Sequence, residues 1–147
     1  MKDFVHLHVH TQYSILDGQA SIPKLVDKAI ANGMKGIAVT DHGDMFGIKE
    51  FFNYVNKKNS GTNGEIKSLK KKIATLQDSG ATQSEIEEVR EAIKAAEKKL
   101  FKPILGCEMY VARRRLFNKE GKPDQSGYHL IVLAKNKKGY HNLIKLL

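Results

Sequence analysis

A chain of 147 residues with 41% hydrophobic and 28% charged residues has the composition of a soluble globular protein, and no run approaches the ~20 apolar residues of a membrane span. The start Met1-Lys2-Asp3-Phe4 lacks the apolar core of a signal peptide, and Cys107 is the only cysteine, which excludes an intramolecular disulfide framework and fits a reducing cytoplasm. The formal net charge of +9 sits mainly at one end: residues 101–147 hold ten basic and three acidic groups, while 1–64 and 65–100 each carry a net +1. Such a surface favours polyanions, nucleic acid among them, although a solvated basic loop gives the same count.

Residues 4–9 read as a strand. Strand alternation puts His8 and His10 on one face and Val5, Leu7 and Val9 on the other, where they can bury. Two neutral imidazoles on one rigid strand make half of a metal site. His6 continues that face one layer deeper, as a hydrogen-bonded core histidine. A loop from Tyr13 to Gly18 follows. Ser21 then reads as an N-cap, Pro23 lies in the first helical turn, Gly33 falls just past the end, and Leu25, Val26, Ala29 and Ile30 form the apolar stripe. Residues 36–40 are a short apolar run of the buried parallel-strand kind, with Asp41-His42-Gly43 at its C-terminal end. A further helix is expected over Phe46–Val55. The order β-α-β-α points to a parallel sheet or barrel.

Ser60-Gly61-Thr62-Asn63-Gly64 reads as a flexible connector. Ile66, Leu69, Ile73 and Leu76, then Ile86, Val89, Ile93, Ala96 and Leu100 after a turn at Asp78–Ala81, keep 3-4 spacing and predict two amphipathic helices. Thr82 and Glu85 form a capping-box pair at the start of the second. We read residues 60–101 as an inserted antiparallel helical hairpin of structural role. Its charged residues form no catalytic constellation. The α/β pattern resumes with a strand over 103–112, a basic loop holding Arg113, Arg114, Arg115, Lys119 and Lys122, a strand over 129–134, and a helix from Lys137 with Leu143, Ile144 and Leu147 on its apolar face. His141 in that helix is expected to be exposed. Without the hairpin, the rest is about half of a typical barrel of roughly 200 or more residues, so residues 1–147 read as a partial domain truncated on its C-terminal side.

The ligand-competent residues cluster near strand ends: His8 and His10 after the first strand, Asp17 in the next loop, His42 after the second, Glu108 on the third and His129 on the fourth. In a parallel barrel such positions face one mouth. Six donors exceed the four that one zinc takes and suggest two or more ions, an arrangement suited to phosphoester hydrolysis. Asp41 either orients a ligand from behind or caps the turn.

His8-Val9-His10-Thr11 and Thr40-Asp41-His42-Gly43 resemble the first two motifs of the polymerase and histidinol phosphatase (PHP) superfamily. The longer string from Phe4 to Gly18, with Pro103–Glu108, His129–Ala134 and Gly139–Ile144, is similar to the N-terminal domain of the alpha-subunit family of bacterial DNA polymerase III. The resemblance covers nearly the whole chain outside the hairpin. It implies an α/β fold, the N-terminal portion of a distorted (β/α)7 PHP barrel, with two or three divalent ions (zinc, manganese or iron) held by His8, His10, Asp17, His42, Glu108 and His129. Where that site is intact, the family implies metal-dependent phosphoesterase or 3′–5′ exonuclease chemistry with a metal-bound hydroxide as nucleophile. The chain lacks the family's later Asp-x-His ligand pair and the polymerase aspartates, so this piece alone is expected to be inactive. The implied partners are DNA (Arg113, Arg114 and Arg115 being candidate contacts), the remainder of the polymerase chain, a separate proofreading exonuclease subunit and other replisome subunits, and no membrane. A metal-clipped scaffold that docks the proofreading subunit and a free-standing PHP phosphatase are the alternatives.

Overall fold

A computed structural model describes residues 4–115, 117–124 and 127–147, so the Met1-Lys2-Asp3 start lies outside the described residues. The elements are α1 (Ile22–Ala31), β1 (Gly36–Val39), α2 (Ile48–Lys58), α3 (Ser60–Asp78), α4 (Gln83–Glu97), β2 (Lys102–Val111), α5 (Gly121–Asp124), β3 (Tyr128–Leu133) and α6 (Lys137–Leu146). The sheet order is β1-β2-β3, a mixed α/β architecture.

α1 is bounded by the expected residues. Pro23 stands in its first turn, and Gly33, at φ +75°, closes the helix in a Schellman motif, with Gly33 N–H donating to Ile30 O and Met34 N–H to Ala29 O. Its buried residues Ile22, Val26 and Ala29 pack with Ile37 and Val39 of β1, Ile48, Phe51 and Val55 of α2, and Phe101. All four residues of β1 are buried. That is the environment in which a strand reads as a continuous apolar run.

Three sequence expectations are corrected on the sheet. Residues 4–9 are extended but not a paired strand. They lie beside β1, where Ala38 and Thr40 N–H donate to His6 O and Val9 O, while Val9 N–H is diverted to the Thr40 hydroxyl. The segment is the outer edge among the described residues, and Leu7 and His6 are both exposed rather than buried. The direction of β3 also differs from a parallel barrel. β1 and β2 are parallel, but β2 and β3 are antiparallel. A parallel return needs a crossover, usually through a helix of several turns, and α5, the only helix among the described residues between β2 and β3, has just four residues.

The Ser60–Gly64 segment is helical, not a connector. Asn59 keeps a helical conformation and Asn63 N–H donates to its carbonyl, so the ladder of α2 passes straight into α3. The two glycines cost a helix roughly 1 kcal/mol each, which local context overrides. The Asn59 side chain also clasps both ends of the hairpin: its Nδ2 donates to Phe101 O at 2.8 Å and its Oδ1 accepts from Phe101 N–H at 3.0 Å. α3 and α4 bury Ile66, Val89, Ile93 and Ala96 in a second core, flanked by Leu69, Ile73, Leu76 and Leu100, and Thr82 with Glu85 makes the expected capping box. On α6 only Leu143 is buried; Ile144 and Leu147 are exposed, as is His141. No helix among the described residues is long and apolar enough to cross a membrane.

Candidate metal centre

Four stretches of backbone converge at one end of the sheet. The segment beside β1 delivers His8 and His10, the chain leaving β1 delivers Asp41 and His42, β2 carries Glu108, and β3 brings His129 as its second residue. Gly43 N–H donates to Glu108 O and Glu108 N–H donates to Asp41 O, so the extension of β1 holds the Glu108 backbone by both its N–H and its C=O. Because β3 is antiparallel, its first residues lie beside the last of β2, with His129 opposite Tyr110. A residue at the start of a strand thereby reaches the same mouth as residues at the ends of others.

Glu108 is the hub. It is 1% exposed, and its Oε2 lies 2.8 Å from His8 Nε2, 2.6 Å from His10 Nε2 and 3.5 Å from His42 Nδ1, while Oε1 meets His129 Nδ1. Asp17 is the second junction: its Oδ2 is 2.6 Å from His10 Nδ1 and 2.6 Å from His42 Nε2. His8 and His10 approach each other to 3.0 Å through their Nε2 atoms. All six residues that the sequence singled out thus belong to one contact network. Within it two groups hold three donors each, all within 4.8 Å of one another: His8, His10 and Glu108, and His10, Asp17 and His42.

The electrostatics favour ionised carboxylates. Burial pushes the Glu108 carboxyl up, but hydrogen bonds from His8 and His10 outweigh it and hold it below the usual range. Hydrogen bonds from His42 and His10 lower Asp17. Burial pulls the His10 imidazole down, yet contacts with Asp17 and Glu108 more than compensate and leave it raised.

The donor set fits a divalent cation. Imidazole nitrogens mixed with carboxylate oxygens suit zinc, manganese or iron and exclude nothing among them. The hydrogen-bonded donor pairs in the two groups stand 2.6–3.0 Å apart and all donors of a group lie within 4.8 Å, while roughly 2.1 Å metal–ligand bonds at tetrahedral angles need them about 3.4 Å apart. Accommodation therefore asks those hydrogen-bonded pairs to separate by under about 1 Å.

Asp41 touches no histidine ring. Its buried carboxylate accepts from Thr11 N–H (2.6 Å), Thr11 Oγ1 (2.8 Å) and Ser14 Oγ (2.7 Å), and Ser14 Oγ in turn accepts from His42 N–H at 3.2 Å. It anchors the turn that carries Asp17, an indirect role. Thr11 and Ser14, both buried, escaped the sequence reading; their signal was a hydroxyl pair next to His10 with no other use. Tyr110 escaped it too, though it shares the Glu108 face of β2 by simple alternation. Leu16 is fully exposed and adopts φ +74°, a left-handed conformation costly for leucine, at the residue before Asp17. Arg113 and Arg114 make contacts of their own, Arg113 over the Tyr128 ring at 5.3 Å and Arg114 with Glu120 at 3.2 Å; Arg113, Arg114 and Arg115 are all exposed.

The PHP-domain family profile matches residues 6–147. The chain is 37% identical over 146 residues to the DNA polymerase III subunit alpha of Borreliella burgdorferi, 38% over 144 residues to that of Treponema pallidum and 32% over 151 residues to that of Aquifex aeolicus. These alignments take in 97%, 97% and 99% of the chain but 9%, 9% and 10% of the relatives, so the chain spans about a tenth of their length.

Proposed function

The chain belongs to the PHP-domain family, and from that premise we propose that its histidine and carboxylate cluster is a metal-dependent phosphoesterase centre in the N-terminal domain of a replicative DNA polymerase alpha subunit, removing nucleotides from DNA 3′ ends. The observation that carries this reading is the pair of three-donor groups that share His10. Divalent metal held by His8, His10 and Glu108 or by His10, Asp17 and His42 would neutralise phosphate oxygens and lower the pKa of a bound water.

The residues have distinct tasks. Glu108, fixed by backbone hydrogen bonds at both its N–H and its C=O, ties His8, His10 and His129 to one carboxylate. Asp17 ties His10 to His42 from an exposed loop that Asp41 anchors. The mouth is open, with His8, Asp17 and His129 side chains about half exposed, as a polymeric substrate requires. Exposed Arg113, Arg114 and Arg115 follow β2 and supply positive charge for a phosphate backbone. On this reading the three-stranded sheet is the first part of a distorted (β/α)7 barrel completed by downstream chain, and the 60–101 hairpin is an insertion in it. The protein works in the cytoplasm with DNA, the rest of the polymerase and a proofreading subunit as partners.

The test uses the full-length protein that carries this chain. Metal content by elemental analysis is read beside degradation of a 3′-labelled oligonucleotide with and without chelator. Two or three ions with chelator-sensitive cleavage, abolished by His10→Ala with Glu108→Gln, support the proposal. Bound metal without cleavage replaces it with a metal-clipped scaffold.

A further inference from the structure

Tyr110 lies at the centre of the site without belonging to either donor group. Its hydroxyl is 2.9 Å from His42 Nδ1, while the other nitrogen of the same ring, Nε2, is 2.6 Å from Asp17 Oδ2. The Tyr110 ring meets His129 edge-on, centroids 4.8 Å apart at 88°, and lies nearly parallel to His42 at 6.2 Å and 19°. It follows Glu108 by two residues on β2, so the phenol and the hub carboxylate leave one strand on one face. Room for the ring comes from Gly43, whose φ of +61° suits glycine and where a Cβ would stand 3.3 Å from Tyr110 Cε2.

We propose that Tyr110 is a positioning residue that holds the His42 ring with Nε2 turned to the ion shared with His10 and Asp17. An imidazole that gives the Nε2 lone pair to a cation keeps its proton on Nδ1, and that N–H needs an acceptor to fix the tautomer and the ring plane. The phenol oxygen at 2.9 Å supplies one. The competing acceptor, Glu108 Oε2, is 3.5 Å away and already engaged by His8 and His10. Without the phenol, His42 can turn Nδ1 toward Glu108 and leave Asp17, which empties the second group while sparing His8, His10 and Glu108. Simple ring packing between two histidines predicts no such selectivity, because phenylalanine packs as well as tyrosine.

This inference rests on the metal reading above, and its test separates the two. Full-length protein freed of metal by chelator is titrated with Mn2+, following free Mn2+ by electron paramagnetic resonance, for wild type, Tyr110→Phe and His42→Ala, each with a thermal melt. The expected result is that Tyr110→Phe keeps the wild-type Tm and weakens one class of bound Mn2+ by about 10–100-fold, the same class that His42→Ala removes. Wild-type protein that binds no Mn2+, with Zn2+ also failing, overturns the metal reading and the inference together. Wild-type binding matched by unchanged binding in Tyr110→Phe overturns the inference alone. So does loss of both classes in Tyr110→Phe with a fallen Tm, which would make the tyrosine a packing residue.

Discussion

Asp41 holds Thr11 twice, through the backbone N–H at 2.6 Å and the side-chain hydroxyl at 2.8 Å, and all of these groups are buried. The pairing spans 30 residues and joins the turn after His10 to the end of β1, one residue before His42. With Ser14 as a third donor, the carboxylate is what keeps two histidines and the Asp17 loop in one register. Asp41→Ala leaves three buried donors without an acceptor, at a cost of about 3 kcal/mol or more. We expect a lowered urea midpoint at unchanged m-value, together with weaker metal binding although no ligand is removed. Wild-type metal affinity in a destabilised Asp41→Ala protein would show that the turn holds its shape without this anchor.

Gly18 is required by space. A Cβ at this position would stand 1.9 Å from Thr11 O, which accepts from Ser14 N–H, and 2.7 Å from Thr11 C, in the residue that Asp41 holds through its N–H and hydroxyl. Gly18→Ala therefore displaces the loop, and with it the neighbouring Asp17. The expected outcome is selective loss of the metal that needs Asp17 and His42, with the His8, His10 and Glu108 group retained. Equal weakening of both would mean that the displaced loop drags His10 along.

What the sequence disclosed is what short-range periodicity determines. Alternation put His8 and His10 together, 3-4 spacing marked both hairpin helices, and Thr82 with Glu85 announced the second helix start. Features set by partners distant in the chain were hidden. The direction of β3 goes with the lack of a full crossover helix among the described residues after β2, and no residue within β3 encodes it. His6 reads as a core histidine only if its segment has neighbours on both sides, and here it is an edge. Tyr110 carries no metal-binding signature; its significance arises from standing opposite His129 in a register that only the folded sheet defines. The helical run through Gly61 and Gly64 was masked for the opposite reason: local propensity argued for a connector, and continuation of α2 through Asn59 overrode it.

The capping box ties hairpin stability to pH. Glu85 Oε2 accepts from Thr82 N–H at 2.8 Å and from Thr82 Oγ1 at 2.7 Å, and these bonds hold its carboxyl below the ordinary value. A group with a depressed folded pKa stabilises the fold above its unfolded pKa, and that contribution is lost as pH falls through the folded value. Thr82→Ala should cost about 1 kcal/mol at neutral pH. The gap in thermal stability between wild type and Thr82→Ala, followed by far-ultraviolet circular dichroism, should be constant from pH 8 to about 5 and narrow below about 4. A gap that widens in acid would contradict the assignment.

Cys107 is the one thiol of the chain, and its position predicts that it is inert. It is 0% exposed, its Sγ lies 3.5 Å from Asp41 O as a weak donor, and burial, with the Asp44 charge adding to it, pushes the thiol up to about 11. Only the thiolate is nucleophilic, so at pH 8 the reactive fraction is very small even before access is considered. In the native fragment a disulfide reagent such as Ellman's should therefore register no thiol within minutes, and one equivalent after addition of urea. Cys107 sits beside Glu108 and on the carbonyl of Asp41, so its exposure reports opening of the same backbone that frames the candidate metal centre. Metal loading should slow the reaction further under mildly denaturing conditions, by stabilising the closed form in proportion to the affinity. A rapid native-state reaction, unaffected by metal, would place the opening of β2 outside the unit that the site holds together.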